Sequence, residues 1–239
     1  MYQYRIYRHW LRVSDLISIN VVDRETDLHI SAQQNLESEA IVAIRNCRIP
    51  LEDYIRSHSL FLSSLEPCIV ETYAPLIIKD MAEAARLAGV GPMAAVAGAI
   101  AQAVGNDLLA HTREIIVENG GDIFMKVLTT RRIGVYAGDS PLSGKIVLEI
   151  EPDETPLGIC TSSGTVGHSL SFGTADAVVV LSPSAALADA AATAIGNKVK
   201  TIADINSAIE VARDIEGITG VLLIKDDKMG LWGRAKIST

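Results

Sequence analysis

The sequence predicts a fold that mixes helices and strands throughout, of the α+β or α/β class. Three observations predict it. Apolar residues make up 49% of the 239 positions, enough to bury a sizeable core. Runs with helical spacing and runs with strand-like character interleave along the whole chain. Turn signals such as Asn119-Gly120 join neighbouring extended runs in hairpin fashion. No low-complexity linker or short repeat divides the chain, so one domain over residues 1–239 is expected.

The elements follow in order. The first thirty residues alternate as strands over Tyr4 to Val13, Ile17 to Val22 and Asp27 to Ile30. Glu37 to Leu62 has helical spacing through Ile41, Ile44, Leu51, Tyr54 and Ile55, with Pro50 expected to break or kink it. Pro75 to Ala88 is a further helix, punctuated by Gly89, Gly91 and Pro92. Met93 to Val104 is a helix made largely of small residues. Strands are expected at Glu114 to Val117, Phe124 to Val127, Ile133 to Tyr136 and Ile146 to Ile150. Ile159 to Gly173, rich in hydroxyls and glycine, reads as a loop with short extended pieces. The valine-rich Ala177 to Leu181 reads as a buried strand. In the next helix Ser182 is placed to cap, Pro183 fits the first helical position, and Gly196 and Asn197 suit the C-terminal end. A helix over Ile202 to Ile215 and strands at Gly220 to Ile224 and Met229 to Trp232 complete the pattern.

Charge and cysteine usage narrow the function classes. A net charge of −8 and a pI near 5.1 argue against a nucleic-acid binder, which needs clustered Lys and Arg. An acidic surface gains nothing from anionic lipid. The most apolar stretch, Val90 to Val104, is interrupted by Gly91, Pro92, Gly98 and Gln102 and falls short of a membrane span, which takes roughly 20 apolar residues. Cys47, Cys68 and Cys160 lack metal-type spacing and form no close pair, so they read as reduced thiols of an intracellular protein. Met1-Tyr2-Gln3-Tyr4-Arg5 has no apolar signal core, and a soluble, cytoplasmic protein is the expectation.

Four segments carry candidate chemistry. In Ala188-Asp189-Ala190-Ala191-Ala192-Thr193 a carboxylate and a hydroxyl stand four residues apart, on one face of an alanine-rich helix. A buried carboxylate pairs, protonates or binds a cation, and Mg²⁺ takes an octahedron of oxygens. Spacing alone leans slightly toward the plainer alternative, that Asp189 bonds a nearby loop N–H. Cys160-Thr161-Ser162-Ser163-Gly164-Thr165-Val166-Gly167-His168-Ser169 offers hydroxyls and glycine-freed N–H groups, a concavity suited to phosphate or an ordinary polar turn. Cys160 with His168 also reads as a thiol and its base, though a structural buried cysteine is the plainer view. Asn119-Gly120-Gly121-Asp122 is a tight hairpin by its residues, and Gly121 would let a ligand approach. Gly91-Pro92-Met93-Ala94-Ala95-Val96-Ala97-Gly98 permits close helix packing and would aim free N–H groups at an anion.

In chain order these segments resemble the ApbE-like superfamily, which includes the FAD:protein FMN transferases. More narrowly they are similar to an ApbE-like family of archaea and anaerobic bacteria. Gly91 to Gly98, Glu118 to Asp122, Cys160 to Ser171 and Ala188 to Asn197 carry that closer likeness, with Glu25-Thr26-Asp27-Leu28 adding to it.

The resemblance implies an α+β, T-fold-like arrangement of mixed sheets packed with helices. It implies Mg²⁺ held by Asp189, Thr193 and the carbonyl of Ala94. It places FAD or FMN beside Gly91, Met93, Asn119, Gly120, Gly121 and Asp122, with Thr161, Ser162, Ser163, Gly164 and Thr165 around the phosphates. His168 and Asp189 are the implied catalytic groups. This chain departs from the transferases in having Ala95 where they have Lys, and in following His168 with Ser169, Leu170, Ser171 and Phe172 instead of their His-x-x-Asp-Pro. The lipoprotein signal of exported members is also missing. The expected function is an Mg²⁺-dependent enzyme acting on FAD or a related dinucleotide, as an FMN transferase or a pyrophosphatase. The alternatives are a non-catalytic flavin or nucleotide binder, or a subunit of an anaerobic sulfur-assimilation pathway. The expected partner is a small nucleotide or flavin, with a homo-oligomer as a further possibility.

Overall fold

The computed structural model describes residues 15–165 and 172–238. The hairpin β1 (Ile17–Asp23) and β2 (Thr26–Ala32) leads into α1 (Glu37–Ser57), α2 (Ser59–Ser63) and α3 (Leu76–Ala88). A 3-10 turn, Pro92–Ala95, then runs into α4 (Val96–Leu108). Next come β3 (Ile115–Asn119), β4 (Asp122–Lys126), β5 (Arg131–Gly134), β6 (Val147–Ile150), β7 (Leu157–Ser162) and β8 (Ala177–Ser182). The chain closes with α5 (Ala185–Gly196), α6 (Ile205–Asp214), β9 (Gly220–Lys225), β10 (Lys228–Gly233) and β11 (Ile237–Ser238).

Eight strands form one antiparallel sheet in the order β1-β2-β3-β4-β7-β8-β9-β10, and β11-β6-β5 form a second, smaller one. The large sheet is covered on both faces. Val117, Phe124, Cys160, Val178, Val180, Val221 and Leu223 pack toward the helices. Their neighbours Ile116, Ile123, Met125, Ile159, Val179, Leu181, Leu222 and Ile224 pack with Ile133, Leu148 and Ile150 of the small sheet. This explains the valine run of β8, since a strand buried on both faces has no polar side to alternate with. The result is an α+β fold with a large antiparallel sheet under a helical layer. Among the described residues no single helix is long and apolar enough to cross a membrane.

The structure corrects two expectations. Pro50 does not break its helix, and α1 runs through it to Ser57. Ala40, Ala43, Ile44 and Cys47 before Pro50 and Leu51 and Tyr54 after it are all buried. An interior proline costs about 3 kcal/mol. Burying the larger of those side chains returns roughly 1.5–3 kcal/mol each. Within Ile159 to Gly173 the extended piece is Ile159 to Ser162, the end of β7, a central strand whose backbone pairs with β4 and β8 on both sides. The cap of α5 is Ser184, not Ser182: Ser184 accepts from the Leu187 N–H, while Ser182 ends β8 and accepts from the Ser184 N–H. The strand expected over Tyr4 to Val13 lies outside the described residues.

Candidate functional site where α4, α5 and the β3–β4 hairpin meet

The hairpin tip is built by its residue types. Gly120 and Gly121 both adopt positive φ, +69° and +105°, so Asn119 and Asp122 face each other across a two-residue turn. Three side chains then fasten the tip. The Glu118 carboxylate accepts from the Gly121 N–H at 2.7 Å. The Asn119 amide donates to the Ala97 carbonyl at 3.0 Å, in the first turn of α4. The Asp122 carboxylate accepts from the Thr161 N–H at 3.1 Å, on β7.

Helix α4 in turn lies against α5. A Cβ added at Gly98 would stand 2.2 Å from the Ala185 carbonyl oxygen and 2.9 Å from the Asp189 Cβ. Only glycine allows this crossing. The Gly98 N–H, one of those that a helix start leaves without an internal acceptor, donates to Asp189 Oδ2 at 2.9 Å. Gln102, one turn further along α4, accepts from the Ala185 N–H at 2.6 Å and so fastens the start of α5.

Of the twelve residues of α5, ten are buried, and the two that are not are Asp189 and Thr193. The helical spacing therefore does place a carboxylate and a hydroxyl on the one stripe that solvent reaches. Met93 and Ala94 are half-buried. Gly91 is packed against the Ser64 backbone, where a Cβ would lie 1.8 Å from the carbonyl oxygen. At the far end of α5, Gly196 lies beside Ser162, and the Asn197 side chain accepts from the Phe172 N–H at 2.7 Å. The hydroxyl loop thus begins next to the C-terminal turn of α5. Ser163 and Thr165 hydroxyls are 3.2 Å apart, and Gly164 and Thr165 are exposed. His168 lies outside the described residues.

The electrostatics are acidic. Burial pushes the Asp189 carboxyl up to about 7, against the Gly98 and Ala97 N–H groups that favour its anion. Asp122 is raised well above the usual carboxylate range, first by burial and then by the Asp189 charge. Burial, followed by Asp122 and Asp189, likewise raises the Cys160 thiol, which donates to the Ala185 carbonyl at 3.3 Å. A thiol this buried and held on the Ala185 carbonyl fits the structural reading of Cys160.

The whole chain can be set beside known proteins. Residues 8–229 match the family model described as AbpE bacteria. A UPF0280 protein from Methanospirillum hungatei is 50% identical over 212 residues, 88% of this chain and 85% of that protein. The chain belongs to the UPF0280 family. Another UPF0280 protein, from Methanocella arvoryzae, is 42% identical over 212 residues, covering 88% of this chain and 86% of its own. Among solved structures the flavin transferase ApbE from Vibrio cholerae aligns at a TM-score of 0.59 and 15% identity, over 91% of this chain and 96% of that one. The ApbE protein from Thermotoga maritima aligns at 0.58 and 14%, over 90% and 96%. At these identities the UPF0280 chain and the ApbE proteins share a fold.

Asp189, Thr193 and the Ala94 carbonyl are oxygen donors of the kind that a magnesium ion takes. Among the described residues no three His, Cys, Asp or Glu side chains gather into a cation cage. Mg²⁺ does not need one, since it is commonly held by one or two carboxylates with water and phosphate completing its shell. Asp189 offers the carboxylate, Thr193 a hydroxyl and Ala94 a main-chain oxygen, and Thr193 and Ala94 both retain access to solvent. Sequence reading missed the Gly98 and Gln102 contacts that join α4 to α5. The small-residue stretch was the available signal for Gly98, and nothing local marks Gln102.

Proposed function

We propose that this UPF0280 protein binds the diphosphate of FAD or a related dinucleotide with Mg²⁺ at the Asp189/Thr193 stripe, and cleaves it. The observation that carries the reading is that these are the two unburied residues of α5, one helical turn apart and beside the start of α4. Asp189, Thr193 and the Ala94 carbonyl would hold the ion, which when bound neutralises the diphosphate and the charge that develops on it. The chain's own groups do the rest. The hairpin tip, tied to α4 by Asn119 and to β7 by Asp122, fixes the floor of the site. The hydroxyls of Ser162, Ser163 and Thr165 would donate to phosphate oxygens and His168 would be the acid–base group, whereas Thr161 alternates to the small-sheet face beside Val179 and meets the site only through its N–H on Asp122.

Two outcomes share this chemistry. In hydrolysis a water oxygen bonds to phosphorus, the bridging P–O bond breaks, and FMN and AMP leave. In transfer a hydroxyl oxygen of an acceptor takes the place of water, its proton passes to the base, and AMP leaves with the bridging oxygen. Ala95 stands where the transferases have lysine, which favours water or a different acceptor over a protein threonine.

The test is incubation of the protein with FAD and Mg²⁺, with chromatography for FMN and AMP. Production of both, abolished by Asp189→Ala and by chelation, is expected. If calorimetry shows no Mg²⁺-dependent FAD binding and no FAD is consumed, the proposal fails. Tight FAD retention without turnover, seen by mass spectrometry of the purified protein, supports the non-catalytic carrier instead.

A further inference from the structure

Exposed large apolar side chains are concentrated in one short segment. Leu60, Leu62, Leu65, Ile69, Tyr73 and Leu76 all lie within residues 60–76, and Ile69 is 102% exposed. The segment is well anchored. The Tyr54 hydroxyl donates to Glu71 at 2.8 Å, His58 Nε2 lies 3.3 Å from the same carboxylate, and Cys68 Sγ reaches back to the Leu60 carbonyl. Between this strap and α3 lies a groove of about 380 Å³, lined by Pro67, Cys68, Ile69 and Val70 on one side and Lys79, Ala82, Glu83 and Arg86 on the other.

We infer that this face is where a second copy of the chain docks, about a two-fold axis. Two properties select a copy of itself as the occupant. A two-fold interface requires one patch to be complementary to itself, and this patch holds both a protrusion, Ile69, and a hollow beside it. Its charges are complementary in the same sense. Glu66 and Lys79 make no ion pair among the described residues, so Glu66 of one copy can meet the partner's Lys79.

The area suffices. A large aliphatic side chain covers roughly 60–120 Å² on the transfer scale, which gives roughly 400–700 Å² per copy for the six. A standard interface takes about 800 Å² from each side, and the groove lining supplies the remainder.

The experiment is analytical ultracentrifugation of the full chain over a concentration series. A species of twice the 25.5 kDa chain mass is expected. Ile69→Arg changes a fully exposed side chain at the rim of the groove, so the fold is kept and the mass should fall to that of one chain. Val42→Arg, equally solvent-facing but on α1, should leave the dimer intact. Glu66→Lys should weaken association at least tenfold, and adding Lys79→Glu should restore it. A monomeric wild-type chain, a dimer indifferent to Ile69→Arg, or a charge swap that fails to rescue would each overturn the inference. So would a monomer that sediments with phosphatidylcholine vesicles, which would assign the patch to a bilayer.

Discussion

Asp189→Asn isolates the consequence of placing a carboxylate beneath the surface with N–H groups, and no fixed cation, to receive it. In the folded chain burial raises the Asp189 carboxyl from an ordinary 3.8 to about 7. The folded state therefore binds this proton more tightly than the unfolded state does. Between those two values stability must fall as pH rises, and above about 7 the loss is complete. At 1.36 kcal/mol per tenfold change in proton affinity, the rise sets a ceiling of about 4 kcal/mol. The contact that Asp189 keeps with water lowers that figure. Asparagine keeps an oxygen for the Gly98 N–H and carries no charge. It also relieves Asp122, whose own rise owes part to the Asp189 charge. The assay is urea unfolding of both proteins from pH 4 to pH 8, with chelator and then with Mg²⁺. In chelator the variant should gain on the wild type steadily from pH 4 to pH 7. Added Mg²⁺ should stabilise the wild type alone and close the gap, because a ligand that binds only one folded protein shifts only that one. Parallel pH curves, or equal stabilisation of both by Mg²⁺, would refute the reasoning.

Three further outcomes follow from the packing. Gly98→Ala puts a methyl 2.2 Å from the Ala185 carbonyl, so α4 and α5 must part; a loss of about 1–3 kcal/mol in thermal or urea unfolding is expected, together with weaker Mg²⁺-dependent FAD binding by calorimetry. Ser184→Ala removes the cap on the Leu187 N–H and should lower stability by about 1 kcal/mol at every pH, in contrast to Asp189→Asn. Of the three thiols, burial raises Cys47 to about 11 and Cys160 well above the usual range, while Cys68 is partly exposed. Mass spectrometry after brief alkylation of the native chain should find one modified cysteine, Cys68, and all three only in denaturant.

What the sequence made legible was local. The Asn119-Gly120-Gly121-Asp122 turn declares itself because two successive positive φ angles select glycine, and the hairpin stands where it was expected. The Asp189/Thr193 stripe could be read from a spacing of four. The valine run of β8 announced burial on both faces. Strand β7 was hidden because Thr161 and Ser162 look like loop residues, yet their backbone is held by β8. The contact that organises the site, the Gly98 N–H on Asp189, joins positions 91 residues apart, and neither neighbourhood names the other as its partner. Spacing suggested that Asp189 bonds an N–H, and resemblance suggested a metal. The geometry contains the first and leaves room for the second, since a carboxylate has more than one acceptor position.

The seam between β2 and β3 has a consequence for how the chain assembles. These strands are adjacent in the sheet, yet residues 33–114 separate them, and that interval holds α1 to α4. A chain emerging from the ribosome therefore presents four helices with only the β1–β2 hairpin to pack on before the rest of the large sheet exists. Long-range pairing of this kind slows folding to the range of milliseconds to seconds and prolongs exposure to aggregation. The helical layer must wait for most of the sheet it covers, since a chain truncated before β3 would lack six of its eight strands.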